Sequence, residues 1–107
     1  MRDFTWSYGQ KKAARVAFDL ASQRDTRAIR REVEGMLQNS KEPRVVWQIE
    51  DYLYERRAEH DRVFDYRYSV LIFVFAGLVR DSLLSEEELE GIGQEKVEAI
   101  RTMLSIR

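Results

Sequence analysis

The chain has 107 residues, a formal net charge of −1 and no cysteine. That length fits one small domain, or one long helical hairpin with a small head. A charge this close to zero argues against a generic nucleic-acid binder, and the lack of cysteine excludes disulfides, thiolate catalysis and cysteine-bound zinc. Apolar residues make up 44% and charged residues 35%, which is enough for a modest core and suits long solvated helices.

Arg2 and Asp3, with no apolar run behind them, do not read as a signal peptide. Residues 1–9 form a polar and aromatic lead containing Trp6 and Tyr8. From Gln10 to Gln38 there is no proline. Ala14, Phe18, Ala21, Ala28, Ile29, Val33, Met36 and Leu37 recur at mostly three- and four-residue steps, which predicts a helix. Such a helix is roughly 42 Å long. It cannot bury its stripe against itself, so it needs a hairpin partner, a second subunit, or both. Asn39-Ser40-Lys41-Glu42-Pro43 is the clearest break, and Pro43 suits the first turn of a second helix from about Arg44 to Tyr68. A connection this short favours antiparallel neighbours.

Ser69–Val79 is β-branched and aromatic enough for a strand. No other segment offers a partner strand, and a lone strand leaves its backbone unpaired. The run is therefore expected to be a buried helix ending near Arg80–Ser82. Val70–Val79 has about half the length needed to span a bilayer. Ser85 and Glu88 have capping-box spacing, which predicts a short helix stopping near Gly91 or Gly93. A final helix over Gln94–Ile106 carries Val97, Ile100, Met103 and Leu104 on one face. The expected fold is all-α: a long antiparallel hairpin over 1–68 that also dimerises, and a small C-terminal helical head over 69–107.

Catalytic equipment is sparse. His60 is the only histidine, and there is no Gly-rich phosphate loop, HExxH or nucleophile elbow. Glu59-His60-Asp61 lacks metal-ligand spacing, so His60 is expected to be partly buried beside Leu53, Val63 and Phe64. No catalytic residue, metal or cofactor is expected. At about 100° per residue, the second helix gathers Trp47, Glu50, Asp51, Tyr54, Arg57 and Asp61 on one side. Val46, Ile49, Leu53, Val63 and Phe64 lie toward the other, as a core face. Trp, Tyr and Arg together are the composition of a binding hot spot. The plainer alternative packs Trp47 on the first helix and leaves the charges to solvent. Arg24, Arg27 and Arg31 share another face, and solvated ion pairing explains them better than an anionic partner. Phe73 and Phe75 belong to the core, unless one stays exposed as a contact point.

Trp47-x-x-x-Asp51-Tyr-Leu-x-x-x-Arg57, followed by Asp65-x-Arg67-x-Ser69-Val-Leu-Ile-Phe73-Val-Phe75-Ala76, resembles the fluorescence recovery proteins of cyanobacteria. The likeness continues through Trp6-Ser7, Ala14, Phe18 and Arg24, and through Glu87-Glu88-Leu89 into the last helix. It implies a homodimeric helical hairpin with a small helical head. It also implies a non-enzymatic regulator that binds the C-terminal domain of an orange carotenoid protein. That regulator speeds the red form's return to orange and ends photoprotective quenching of phycobilisomes. By this resemblance Trp47, Asp51 and Arg57 match the functional patch and Phe73 a head phenylalanine that contacts the partner; the helical wheel adds Glu50 and Tyr54 to the partner-binding residues. Val46, with Trp47 and Asp51, would stand at the dimer interface. Glu50 and Ala99 depart from the pattern, Glu50 placing an anion within the patch. A dimeric helical adaptor for a different sensory or signalling protein is the alternative. The expected location is cytoplasmic, at most peripheral to the thylakoid membrane, with no nucleic-acid partner.

Overall fold

Ser7 opens the first helix. Its hydroxyl accepts the backbone N–H of Gln10 at 3.1 Å, and Gln10 Oε1 accepts that of Ser7 at 3.0 Å. This reciprocal cap starts α1 (Tyr8–Asn39) two residues before Gln10, the helical start expected from the sequence. The structure is a computed structural model that describes residues 4–106. After α1 come α2 (Val45–Val63), α3 (Leu71–Arg80), a 3-10 segment (Glu87–Ile92) and α4 (Gln94–Ser105). No strand occurs among the described residues, so the ambiguous apolar run is a helix.

α2 ends five residues earlier than expected. Phe64 leaves helical geometry at φ −90°, ψ 74°. Tertiary packing overrides the local helical tendency here. Phe64 and Tyr66 both turn edge-on to Phe18, at centroid distances of 5.5 and 4.8 Å. The Arg15 guanidinium lies 3.7 Å from the Tyr66 ring centroid. Burial and the neighbouring Tyr68 push the Tyr66 phenol up to about 12. Asp65 and Arg67 close the turn as a fork-like ion pair.

The core lies between the first half of α1 and the C-terminal elements. Ala14, Ala17, Phe18 and Ala21 meet Leu71, Ile72, Phe75, Leu78, Leu84, Leu89, Ile92, Val97 and Ile100. Phe75, Leu71, Leu78, Leu89, Ile92 and Ile100 are fully buried, each such side chain contributing about 1.5–3 kcal/mol. The small alanines let neighbours approach closely: a Cβ on Gly91 would stand 2.7 Å from the Ala13 Cβ. Arg24 ties α1 to the 3-10 segment with two bonds to Glu88, 2.8 and 2.7 Å, and a third to the Leu83 carbonyl. Lys96 is almost fully buried. Its ammonium donates to the Thr5 carbonyl and to Gln10 Oε1 and lies over the Trp6 ring. Burial lowers its pKa.

The Tyr66 hydroxyl donates to the Lys11 carbonyl, and with the side-chain pairs Ser22–His60 and Asp25–Arg56 this links falling positions after Ser40 to rising positions on α1, so α2 runs back along α1. Val45 is the one buried residue described in α2. The expected core face of that helix is therefore corrected. Val46 and Leu53 are exposed and Ile49 is half-buried, because no described element covers that half of the helix. The molecule measures 53 × 30 × 21 Å, with a radius of gyration of 16.8 Å, against about 13 Å for a compact chain of this length. The long axis is that of α1, about 48 Å.

Candidate protein-interaction surface

α2 begins on three backbone bonds that each reach back three residues, from the Val45, Val46 and Trp47 N–H groups to the Glu42, Pro43 and Arg44 carbonyls. This tight turn sets the phase of the helix and so decides which residues face outward. Trp47 is 65% exposed, Tyr54 79% and Val46 50%. Trp47 therefore does not pack on α1. A shallow groove joins Val46, Ile49, Glu50, Leu53, Tyr54 and Arg57. A second, over Thr26, Ile29, Leu53, Arg56, Arg57, His60 and Asp61, shares Leu53 and Arg57 with it. Leu37, at the end of α1, is also half exposed. Large exposed apolar and aromatic groups concentrated on one stretch of helix, interleaved with arginine, mark a contact surface.

Arg57 pairs with Asp61 one turn on, both strongly exposed. An exposed pair of this spacing stabilises by only about 0.3–0.5 kcal/mol, so it leaves Arg57 available to a partner. Glu50 and Asp51 form no ion pair among the described residues. Trp47, Glu50, Asp51, Tyr54 and Arg57 thus share the outer side of α2, as expected. Phe73 lies on α3, 45% exposed, and lines neither groove, while Phe75 is buried. The arginine run resolves into ion pairs at two positions, Arg24 with Glu88 across the fold and Arg30 with Glu34 one turn on. Arg27 and Arg31 are exposed.

A polar node was not foreseen. Asp25, its side chain 12% exposed, accepts from Arg56 Nη2 at 2.9 Å and from His60 Nδ1 at 2.6 Å. The Ser22 hydroxyl stands 3.4 Å from His60 Nε2. His60 stacks on Phe64 at 4.3 Å. The sequence did hold a signal: Asp25 falls four residues after Ala21 on the apolar stripe, where an acid needs a buried partner. The order Asp25–His60–Ser22 has the polarity of a nucleophile relay. Ser22 and Asp25, however, stand mid-helix, where backbone N–H groups are bonded within the helix and none is offered to an oxyanion. Among the described residues no group of histidines and acids could hold a metal ion, and no helix is long and apolar enough to cross a membrane.

Residues 6–104 match the family described as photoprotection regulator fluorescence recovery protein. The chain is 31% identical over 98 residues to the fluorescence recovery protein of Synechocystis sp. PCC 6803, covering 92% of this chain and 90% of that one. The solved structure of the Fremyella diplosiphon fluorescence recovery protein superposes with a TM-score of 0.82 at 35% identity, covering 94% of this chain and 98% of that one. The Synechocystis structure superposes with a TM-score of 0.84 at 29% identity, covering 95% of this chain and all of that one. With nearly its whole length matched in sequence and in fold, the chain belongs to the fluorescence recovery protein family of photoprotection regulators.

Proposed function

We propose that the chain binds the C-terminal domain of an orange carotenoid protein through the outer side of α2 and accelerates that protein's red-to-orange recovery, ending phycobilisome quenching. The observation that carries this reading is the exposed set Trp47, Glu50, Asp51, Tyr54 and Arg57 on a helix with one buried residue. No covalent step is needed. The regulator lowers the barrier by binding the transition state for domain reclosure more tightly than the open form. Phe73 on α3 supplies a second contact. The same reading makes the chain a homodimer built on the α1–α2 hairpin, with Val46, Trp47 and Asp51 at the interface and residues 69–107 as the head.

The test mixes the protein with photoactivated orange carotenoid protein and follows dark recovery by absorbance. Recovery is expected to quicken, and Arg57→Leu is expected to lose about tenfold or more of the effect, the loss typical of a hot-spot residue. Unchanged recovery with the native protein, and no complex on size exclusion, would sink the proposal. Glu50 supports a second reading, an adaptor for another sensory protein, because it sets an unpaired anion in the groove. Capture of a different partner from the source organism, with no carotenoid protein among the captured chains, would favour it.

A further inference from the structure

The contact between α1 and α2 is mostly non-directional. Ile29, Val33, Met36, Ile49 and Tyr52 are only half-buried along it, and apolar contacts of this kind tolerate sliding. The Asp25 node does not. Its two acceptor oxygens are taken separately, Oδ1 by Arg56 and Oδ2 by His60. A shift of α2 by one residue, about 1.5 Å, breaks both bonds and leaves a carboxylate buried without partners. The node is also continuous with the core. His60 stacks on Phe64, and Phe64 meets Phe18 edge-on.

We propose that Asp25, with His60 and Arg56, is a register pin: a positioning device that fixes the slide and splay of α2 and so places the Trp47–Arg57 face. This rests on reading that face as the contact surface. The leverage is large. Trp47 lies 13 residues before His60, about 20 Å along the helix. A tilt of about 10° at the node moves Trp47 by about 3 Å, beyond the tolerance of a shaped contact. Buried ionic groups are poor stabilisers relative to apolar replacements, and their best-attested use is to fix register. Asp25 is accordingly a positioning residue and not a source of stability.

The test exchanges the pin for an apolar pair, Asp25→Leu with His60→Leu. Arg56 retains Glu59, 3.4 Å away. The chain has no cysteine, so Glu34→Cys and Gln48→Cys introduce a clean spin-label pair across α1 and α2, measured after dilution with unlabelled chain. The apolar variant is expected to keep or raise the thermal midpoint. Its label distance distribution should broaden, and its affinity for the photoactivated carotenoid protein should fall about tenfold or more. A purely structural role predicts instead that affinity follows the midpoint. A distribution as narrow and as centred as that of the native chain overturns the pin, as does unchanged affinity. Should the double variant not fold, Asp25→Asn carries the test. It retains one acceptor oxygen and must broaden the distribution, and an unchanged one overturns the pin. If the native chain fails to bind the carotenoid protein, the reading of the α2 face falls, while the distance distribution still decides the pin.

Discussion

Ser82 is the one non-glycine among the described residues with positive φ, at 63°. It ends α3 with a recognisable motif. The Leu83 N–H returns to the Leu78 carbonyl at 2.8 Å and the Ser82 N–H to that of Val79 at 3.0 Å, the pair of bonds that follows a left-handed residue just past a helix. Serine pays for its Cβ in that geometry. Ser82→Gly is expected to raise stability by about 0.5–1 kcal/mol, the relief exceeding the extra freedom glycine gains when unfolded. A urea titration with a higher midpoint and unchanged slope would show it, and a lower midpoint would contradict the strain argument. The end of α3 at Arg80 was legible from the sequence, but the left-handed serine that closes it was not, because that geometry ordinarily calls for glycine. Of the two glycines expected to stop the short helix, Gly93 is the one that does, and Gly91 lies inside the segment; its need to lack a Cβ comes from Ala13, 78 positions away in the chain. The face of Trp47, Tyr54 and Arg57 was legible because it follows from helical phase alone. The partners of Asp25 and Lys96 were not, since an acid or a lysine on an apolar stripe shows that a partner is required without saying which.

At the scale of elements, two capping boxes show the limit of local signals. Ser7–Gln10 and Ser85–Glu88 have the same spacing and the same reciprocal bonds. The first starts a helix of 32 residues; the second starts a 3-10 segment of six. What differs is the packing behind them. Glu88 belongs to two structures at once, capping its own segment and accepting both arms of the Arg24 fork. The hydrogen bonds from Arg24, then that from the Ser85 N–H, hold its carboxyl down at about 2. A carboxyl lowered on folding contributes stability that is fully present above its unfolded value and is lost as pH falls through its folded one. The Arg24–Glu88 contribution is thus complete above about pH 5 and fades toward pH 2. Glu88→Gln should lower the thermal midpoint at pH 7 and converge on the native chain near pH 2. Midpoints measured across that range decide it. A constant gap between the two proteins would mean that the residue acts through shape and not charge. The elements themselves were largely legible from periodicity, but the end of α2 was not. Phe64 and Tyr66 satisfy a helical pattern locally and abandon it for Phe18.

At the scale of the molecule, the asymmetry between the two ends of α1 governs what the chain can do. One end is wrapped by α3, the 3-10 segment and α4 and carries the core. At the other end α1 and α2 lie together with Leu37, Val46 and Trp47 exposed, an arrangement that leaves apolar area for a second chain to cover. A two-fold pairing requires the same patch on both copies, and a single helix face provides that most simply. Val46 tests the proposed dimer with little risk to the fold, because a side chain already half exposed can become charged without entering the core. Val46→Glu would bring two carboxylates toward each other at such an interface and leave them desolvated. The expected result is a chain that sediments as a monomer of 12.7 kDa with unaltered helical circular dichroism, against about twice that mass expected for the proposed native dimer. A variant still dimeric at micromolar concentration would move the interface off Val46. The outcome bears on activity too. Trp47 and Asp51 are proposed for both the dimer and the partner contact, so the two compete, and a self-associated face is available only in proportion to its free fraction. If Val46 itself lies outside the partner contact, the monomeric variant should bind the carotenoid protein at least as tightly as the native chain. A weaker complex with an intact fold would show that both copies are needed to form the binding face.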